Sequence, residues 1–297
     1  MIPKVDYDFV AWVLAEDLGK DEEDLTSWAL GVPGKNAKAI LWAKERGVLA
    51  GKKLFEAFFS YLELRSRFRW YAEDGDKVIP NMKVAEITAC ANVLLTAERS
   101  ALNALCHLSG VATLTAQFVY ALQGTGVRIL DTRKTLPGLR AWEKYAVRVG
   151  GGKNHRIGLF DQILVKENHL TQVGSVAYAV KKSLVFLKKN YPSWKNDLKT
   201  KPLFEIEVKS QREMLLALNA GARFLMLDNF PLPELAGVVQ KAREWEKKHT
   251  TKIWLEASGN VEMAMVRRVA NTGVDFISAG ALTHSAPALD FSLKIVK

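Results

Sequence analysis

A chain of 297 residues and 33.1 kDa exceeds one ordinary single-core domain and falls short of three, so two domains are expected. Hydrophobic residues at 48% and charged residues at 25% sit near the averages for globular proteins, which excludes a disordered, collagen-like or low-complexity chain. A net charge of +10 and a pI near 9.5 ask for an anionic partner.

The first 25 residues carry eight acids, from Asp6 to Asp24, where a secretory signal would be basic and apolar. No uninterrupted apolar run approaches the roughly 18 residues of a membrane span, so a cytoplasmic chain with no membrane partner is expected. The pattern predicts a helix over 8 to 18, a strand over Ala37 to Trp42 and a helix from Lys52 to Leu64. Strands follow around 67 to 72 and 83 to 91, joined through Asp74-Gly75-Asp76. Residues 94 to 122 keep apolar side chains at helical spacing, as one long helix or two broken near Ser109-Gly110. Two cysteines, Cys90 and Cys106, have no CxxC spacing, which excludes a zinc ribbon or disulfide scaffold; both read as small core residues. These signals define an N-terminal α+β sandwich domain over residues 1 to 110, its last helix leading into a second domain over 111 to 297. The final C-terminal strand is a candidate to return to the first domain.

From residue 127 the pattern changes to short apolar runs, each followed by a polar residue and a helical stretch. The runs lie at 127 to 130, 162 to 165, 203 to 208, 223 to 227, 252 to 256 and 274 to 278. Such alternation predicts a parallel (β/α) barrel-like domain of about six or seven strands. Asp131, Lys166, Glu207, Asp228, Ser258 and Gly280 stand at or just past the ends of these runs, and in a barrel they would converge at one mouth.

The basic charge is concentrated. Residues 133 to 156 hold Arg133, Lys134, Arg140, Lys144, Arg148, Lys153 and Arg156 against one acid, Glu143. The window lacks the interleaved aromatics of a single-strand binding platform and suits a compact, multiply charged small molecule better than nucleic acid. Arg133-Lys134, before a helix expected to start near Pro137-Gly138, can hold carboxylate and phosphate together, or be an ordinary solvated loop. Gly150-Gly151-Gly152 lets backbone N–H groups approach an anion closely, with His155 and Arg156 as further donors; a glycine hinge is the plainer alternative. Glu205 and Glu207 alternate on one strand and so face one side. Glu207 with Asp228 makes a Mg²⁺ or ribose-hydroxyl site, unless Glu207 simply pairs with Lys166. The small-residue turns Ser258-Gly259-Asn260 and Ser278-Ala279-Gly280, with His284 beyond, are of the kind that binds phosphate in late barrel loops. A dinucleotide fingerprint, a Walker A loop and HExxH are all missing from the sequence.

The stretches TAERSALN (96 to 103), HLSGVAT (107 to 113), ILDTRKTLPGLR (129 to 140), EKYAVR (143 to 148), GGGKNHRIG (150 to 158), LDNF (227 to 230), EASGN (256 to 260) and SAGALTHS (278 to 285) resemble the nicotinate-nucleotide pyrophosphorylase, or quinolinate phosphoribosyltransferase, family over almost the whole chain. The departures are Thr88-Ala89-Cys90 at a usual glycine, Ser100 for Thr, Glu167 for Asp, and Lys20 to Glu23 in a usually Gly-rich stretch. The resemblance implies transfer of phosphoribose from 5-phosphoribosyl 1-pyrophosphate to quinolinate with decarboxylation, giving nicotinate mononucleotide, pyrophosphate and CO2 in NAD biosynthesis, with Mg²⁺. By the same resemblance Arg133, His155, Arg156 and Lys166 would hold the two carboxylates, and Lys134 would lie beside the pyrophosphate. Glu207 and Asp228 would serve metal and ribose, while Ser258, Gly259, Ala279, Gly280 and His284 would cradle phosphate. Lys134, Lys166, Glu207 and Asp228 are the implied catalytic groups. Arg99 would come from the partner subunit of a homodimer.

The charges fit that chemistry, since a dianion meeting a phosphorylated, pyrophosphorylated ribose brings many negative charges together. The pyridine nitrogen would displace pyrophosphate through an oxocarbenium-like state, the protein supplying orientation and fixed charge. The ribosylated, positive nitrogen would then stabilise the carbanion left by loss of CO2. A molybdenum-operon relative of the family and a basic nucleic-acid-binding protein are the rival expectations. The intact TRK and HR segments disfavour the first.

Overall fold

The computed structural model describes residues 1–19, 24–32, 34–191, 204–259 and 261–296; the departure at Lys20 to Glu23 lies outside the described residues, as does Asn260. The chain divides into two compact units. The first comprises Met1–Gln117, Thr135–Gly152 and Ala281–Lys297, and the second Phe118–Lys134 and Lys153–Gly280.

In the first unit, α1 (Tyr7–Leu18) and α2 (Leu25–Ala29) each start on an aspartate whose carboxylate accepts from first-turn amides: Asp6 from Asp8 and Phe9, Asp24 from Thr26 and Ser27. β1 (Asn36–Ala43) alternates, burying Ala39, Leu41 and Ala43. It is central in an antiparallel sheet ordered β12-β1-β5-β3, with β3 (Arg67–Trp70), β5 (Lys83–Cys90) and β12 (Phe291–Val296). β2 (Gly47–Val48) and β4 (Lys77–Val78) form a separate antiparallel pair. The C-terminal strand β12 pairs with β1 in register from Lys38↔Val296 to Ala43↔Phe291. α3 (Lys52–Leu62) buries Leu54, Phe55, Phe58 and Phe59 and ends two residues before the expected Leu64.

α4 (Ala91–Ala121) is continuous through Ser109-Gly110. The glycine serves a close approach there, since a Cβ on Gly110 would lie 2.1 Å from the Pro287 carbonyl oxygen. Ser109 accepts from Ala50 N–H (3.0 Å) and donates to its carbonyl (3.2 Å), so the polar pair marks packing instead of a break. α4 is long and apolar enough to cross a membrane by length and composition, and half of its most apolar window is buried. Both cysteines depart from the expectation of core residues, being partly exposed; the Cys90 thiol lies 3.2 Å from a Glu63 carboxylate oxygen. α5 (Arg140–Val149) starts three residues later than the expected Pro137, because Pro137, Gly138 and Leu139 are spent on the turn leading in.

The second unit is built on a parallel sheet of six strands: β6 (Arg128–Leu130), β7 (Ile163–Val165), β8 (Phe204–Val208), β9 (Phe224–Asp228), β10 (Trp254–Ser258) and β11 (Phe276–Ser278). Its order is β6-β11-β10-β9-β8-β7, so each strand after β7 lies beside the last and β6 rejoins at β11. This is a barrel's cyclic order, open between β6 and β7, with Lys153 adding a parallel bridge to Leu130. The crossover helices are α6 (Glu167–Val173), α7 (Val176–Asn190), α8 (Gln211–Ala220), α9 (Leu232–His249) and α10 (Met263–Ala270). All five residues of β8 are buried, as expected of a strand covered on both faces.

Candidate active site

The sheet places acids where its neighbours are apolar. Glu205 and Glu207 share one side of β8, and Glu207, Met226 and Glu256 stand in register across β8, β9 and β10. Glu205 and Glu256 are fully buried. Burial raises the Glu205 carboxyl to about 8, against the pull of the Lys166 and Arg156 charges. Burial, and then the charge of Glu205, raises Glu256 to about 8 as well.

His155 joins these acids. Its Nε2 lies 2.9 Å from Glu205 Oε2 and 3.6 Å from Glu256 Oε2. Its Nδ1 accepts from the Arg156 backbone N–H at 2.7 Å, so in the neutral ring Nε2 carries the hydrogen and donates to Glu205. The three residues have ligand-type atoms within 4.8 Å of one another, but a ring that donates from Nε2 is not offering that nitrogen to a cation. The His155 backbone N–H donates to Asp131 Oδ1 at 2.9 Å, and the Asn154 amide donates to the same carboxylate, which gives the strand-end Asp131 a structural task.

Arg156 is 6% exposed, yet among the described residues no carboxylate lies within ion-pair distance of it. Its guanidinium donates to the Gln162 carbonyl at 3.3 Å. Burial, and then the positive charge of Arg133, pushes it below the ordinary arginine value. Arg133 and Lys134 are exposed on the loop after β6, where Lys134 N–H donates to Thr132 Oγ1.

Lys166 Nζ lies 2.9 Å from Glu207 Oε2, the ion pair that was the alternative to a metal site. Asp228 ends β9, raised by burial and then by the charge of Glu207, with Asn229 donating to it at 3.0 Å. Gly259 has φ +99°, and a Cβ there would lie 2.1 Å from Asn229 Oδ1, so Ser258-Gly259 folds tightly over the end of β9. The Ala279 N–H donates to Leu130 O at 3.1 Å, ahead of Gly280. Arg99, exposed on α4, and His284, exposed beside Ser285, belong to the first unit.

The glycine run requires a correction. Gly150, Gly151 and Gly152 N–H groups donate to the carbonyls of Ala146, Arg148 and Val147, closing the end of α5. A Cβ on Gly150 would lie 2.4 Å from Ala112 O, and one on Gly152 2.8 Å from both Thr115 and Val147. These glycines end a helix against α4, and their amides are spent there. Sequence reasoning also gave no role to Glu256 and Gln162. Glu256 ends an apolar run, and a lone acid at that place was the signal.

The chain matches the model of the quinolinate phosphoribosyl transferase N-terminal domain over residues 24–109 and of its C-terminal domain over 111–294. It is 39% identical over 285 residues to a probable nicotinate-nucleotide pyrophosphorylase (carboxylating) of Synechocystis, covering 96% of this chain and 90% of that one. A mitochondrial quinolinate phosphoribosyltransferase (decarboxylating) of Nicotiana tabacum is 38% identical over 95% of this chain and 80% of its own length. The nicotinate-nucleotide pyrophosphorylase structure from Francisella tularensis superposes with a TM-score of 0.84 at 37% identity, covering 99% of this chain and 98% of that one. The Ehrlichia chaffeensis enzyme gives 0.86 at 32%, covering 99% and 100%. A parallel α/β sheet with cations and acids at its strand ends, in this company, is that of a phosphoribosyltransferase. The chain belongs to the quinolinate phosphoribosyltransferase family.

Proposed function

We propose that the chain transfers phosphoribose from 5-phosphoribosyl 1-pyrophosphate to quinolinate and releases CO2, giving nicotinate mononucleotide and pyrophosphate. The observation that carries this is Arg156: a buried guanidinium beside a second arginine, with no carboxylate of its own, is stabilised by an anionic ligand. Quinolinate's two carboxylates supply that charge to Arg156 and Arg133, with Lys166 near. His155, both of whose ring nitrogens are engaged within the protein, fixes the backbone from which Arg156 extends. Lys134 lies beside the leaving pyrophosphate, and Ser258, Gly259, Ala279, Gly280 and His284 form the phosphate side of the same reading.

Glu207 and Asp228 fit a Mg²⁺ ion: both are hard oxygen donors, and the charge of Glu207 raises the neighbouring Asp228 carboxyl, a repulsion that a cation removes. Held by these two residues, a Mg²⁺ ion would supply charge neutralisation to the pyrophosphate group. The chain's own cations hold the ring so that its nitrogen faces the anomeric carbon; once ribosylated and positive, that nitrogen stabilises the carbanion left as the adjacent carboxylate departs as CO2, and a proton from solvent takes its place. A cytoplasmic location is part of the same proposal and is checked by cell fractionation.

The test is product formation by chromatography. Nicotinate mononucleotide should appear only with quinolinate, 5-phosphoribosyl 1-pyrophosphate and Mg²⁺ together. Nicotinate in place of quinolinate should fail, because one missing carboxylate leaves buried cations unpaired; comparable turnover of nicotinate would refute the assignment.

A homodimer with shared sites completes the proposal, with Arg99 reaching the partner's site; what supports it is an exposed arginine on α4 that makes no ion pair among the described residues. Refolding a mixture of Arg99→Ala and His155→Ala proteins should recover about a quarter of wild-type activity, from the intact sites of mixed dimers. No recovery, with mixed dimers confirmed by mass spectrometry, rules the shared site out.

A further inference from the structure

Four contacts around Arg156 close on themselves, and a fifth anchors them. The guanidinium Nη1 donates to the Gln162 carbonyl at 3.3 Å. The Gln162 side-chain amide donates to Glu205 Oε2 at 3.1 Å. The same oxygen receives His155 Nε2–H at 2.9 Å, and His155 Nδ1 receives the Arg156 backbone N–H at 2.7 Å. The His155 backbone N–H is tied to Asp131 at 2.9 Å. Starting from the guanidinium, the path passes through one glutamine, one glutamate and one histidine and returns to the main chain of the arginine itself. Glu205 Oε2 is where the two halves meet.

We infer that Glu205 is a positioning residue for Arg156: through Gln162 and His155 it sets both the backbone and the guanidinium of the arginine before the anionic substrate arrives. This rests on the reading that Arg156 receives a quinolinate carboxylate. The physical need is specific to the site. Arg156 has no ion-pair partner among the described residues to orient it, and Arg133 repels it, so without the ring its planar fork has several orientations and only some match a carboxylate. The ring is also largely shielded from water: His155, Arg156, Gln162 and Glu205 are all buried, Glu205 completely. Buried hydrogen bonds of this kind hold their geometry because breaking one leaves a polar group unsatisfied. Glu205 is fully buried and forms no ion pair with Arg156, and its hydrogen bonds run to His155 and Gln162, so it orients the arginine through those two residues and does not itself touch substrate.

The test is steady-state kinetics with both substrates varied. Glu205→Leu fills the space and removes the shared acceptor; it should raise the KM for quinolinate about tenfold while the KM for 5-phosphoribosyl 1-pyrophosphate stays within about twofold. Glu205→Gln offers an amide oxygen in the same place and should return the quinolinate KM to within about threefold of wild type. Gln162→Leu cuts one arm only, leaving the backbone acceptor of Arg156, and should give a rise of roughly threefold; it carries the test should Glu205→Leu not fold. Because Glu205 acts through Arg156, the quinolinate KM of Glu205→Leu/Arg156→Ala should equal that of Arg156→Ala alone. An unchanged quinolinate KM in folded Glu205→Leu or, failing that, in Gln162→Leu, an equal rise in both KM values, or additive effects in the double variant overturns the inference. A normal quinolinate KM in Arg156→Ala would instead overturn the substrate reading beneath it, whereas a defective Arg156→Ala beside silent Glu205 and Gln162 variants overturns the positioning alone.

Discussion

Gly150–Gly152 and Arg156 lie within seven residues of each other in the same basic stretch, and they differ in what remains unsatisfied. At the glycines every backbone N–H finds a carbonyl at the end of α5, and the missing side chains make room for α4. At Arg156 a buried guanidinium has one carbonyl and no carboxylate among the described residues. Satisfied polar groups build the protein; an unsatisfied buried charge is a demand for a ligand.

The largest expected effect breaks that comparison at Arg156. Arg156→Ala should cost about 2 to 4 kcal/mol in kcat/KM without lowering thermal stability, because it deletes a charge that the apo fold does not pair. A loss under about threefold in the folded variant would reduce the residue to ordinary packing. Gly150→Ala should do the reverse. Its Cβ meets Ala112 O at 2.4 Å and Thr115 Cβ at 2.7 Å, so a denaturant midpoint should report a loss of roughly 1 to 3 kcal/mol, with kcat/KM per folded molecule near wild type. Unaltered stability would mean that α4 and α5 do not pack as closely as described.

How much of this was legible in the sequence depends on which force decided each feature. Apolar runs announced the parallel strands, because a strand covered on both faces cannot alternate, and β8 to β11 lie close to the positions predicted for them. Alternation also put Glu205 and Glu207 on one side of β8. Close approaches were not legible. Gly110 looks like a helix breaker until Pro287, far along the chain, is found against it, and Gly150 looks like an anion loop until Ala112 is found there. The role of Gln162 was equally hidden, for it depends on a glutamate 43 residues away.

A smaller effect sharpens the comparison from the acidic side. The folded-state values of Glu205 and Glu256 are raised to about 8, far above an ordinary carboxyl, so the native state holds protons that the unfolded chain has released. The stability linked to those protons is complete below about pH 4.5 and disappears as pH rises through about 8. Each such proton contributes a slope of about 1.4 kcal/mol per pH unit inside that window. Glu256→Gln, permanently neutral, should therefore flatten the fall in stability between about pH 5 and 8, measured by denaturation at several pH values. An unchanged slope would show that Glu256 is already ionised in the folded protein at neutral pH.

The pairing of β12 with β1 has a consequence for how the protein is made. Lys38 and Val296 are neighbours in one sheet, so β1 leaves the ribosome roughly 250 residues before the strand that covers its far edge. Until then β1 offers an open edge to any other extended chain, including other nascent copies. Removing residues 291 to 297 should therefore damage the sheet that opens the sequence, and the truncated chain should aggregate during synthesis. A permuted chain that begins at Phe291 and runs through a short linker into Met1 would synthesise both strands together.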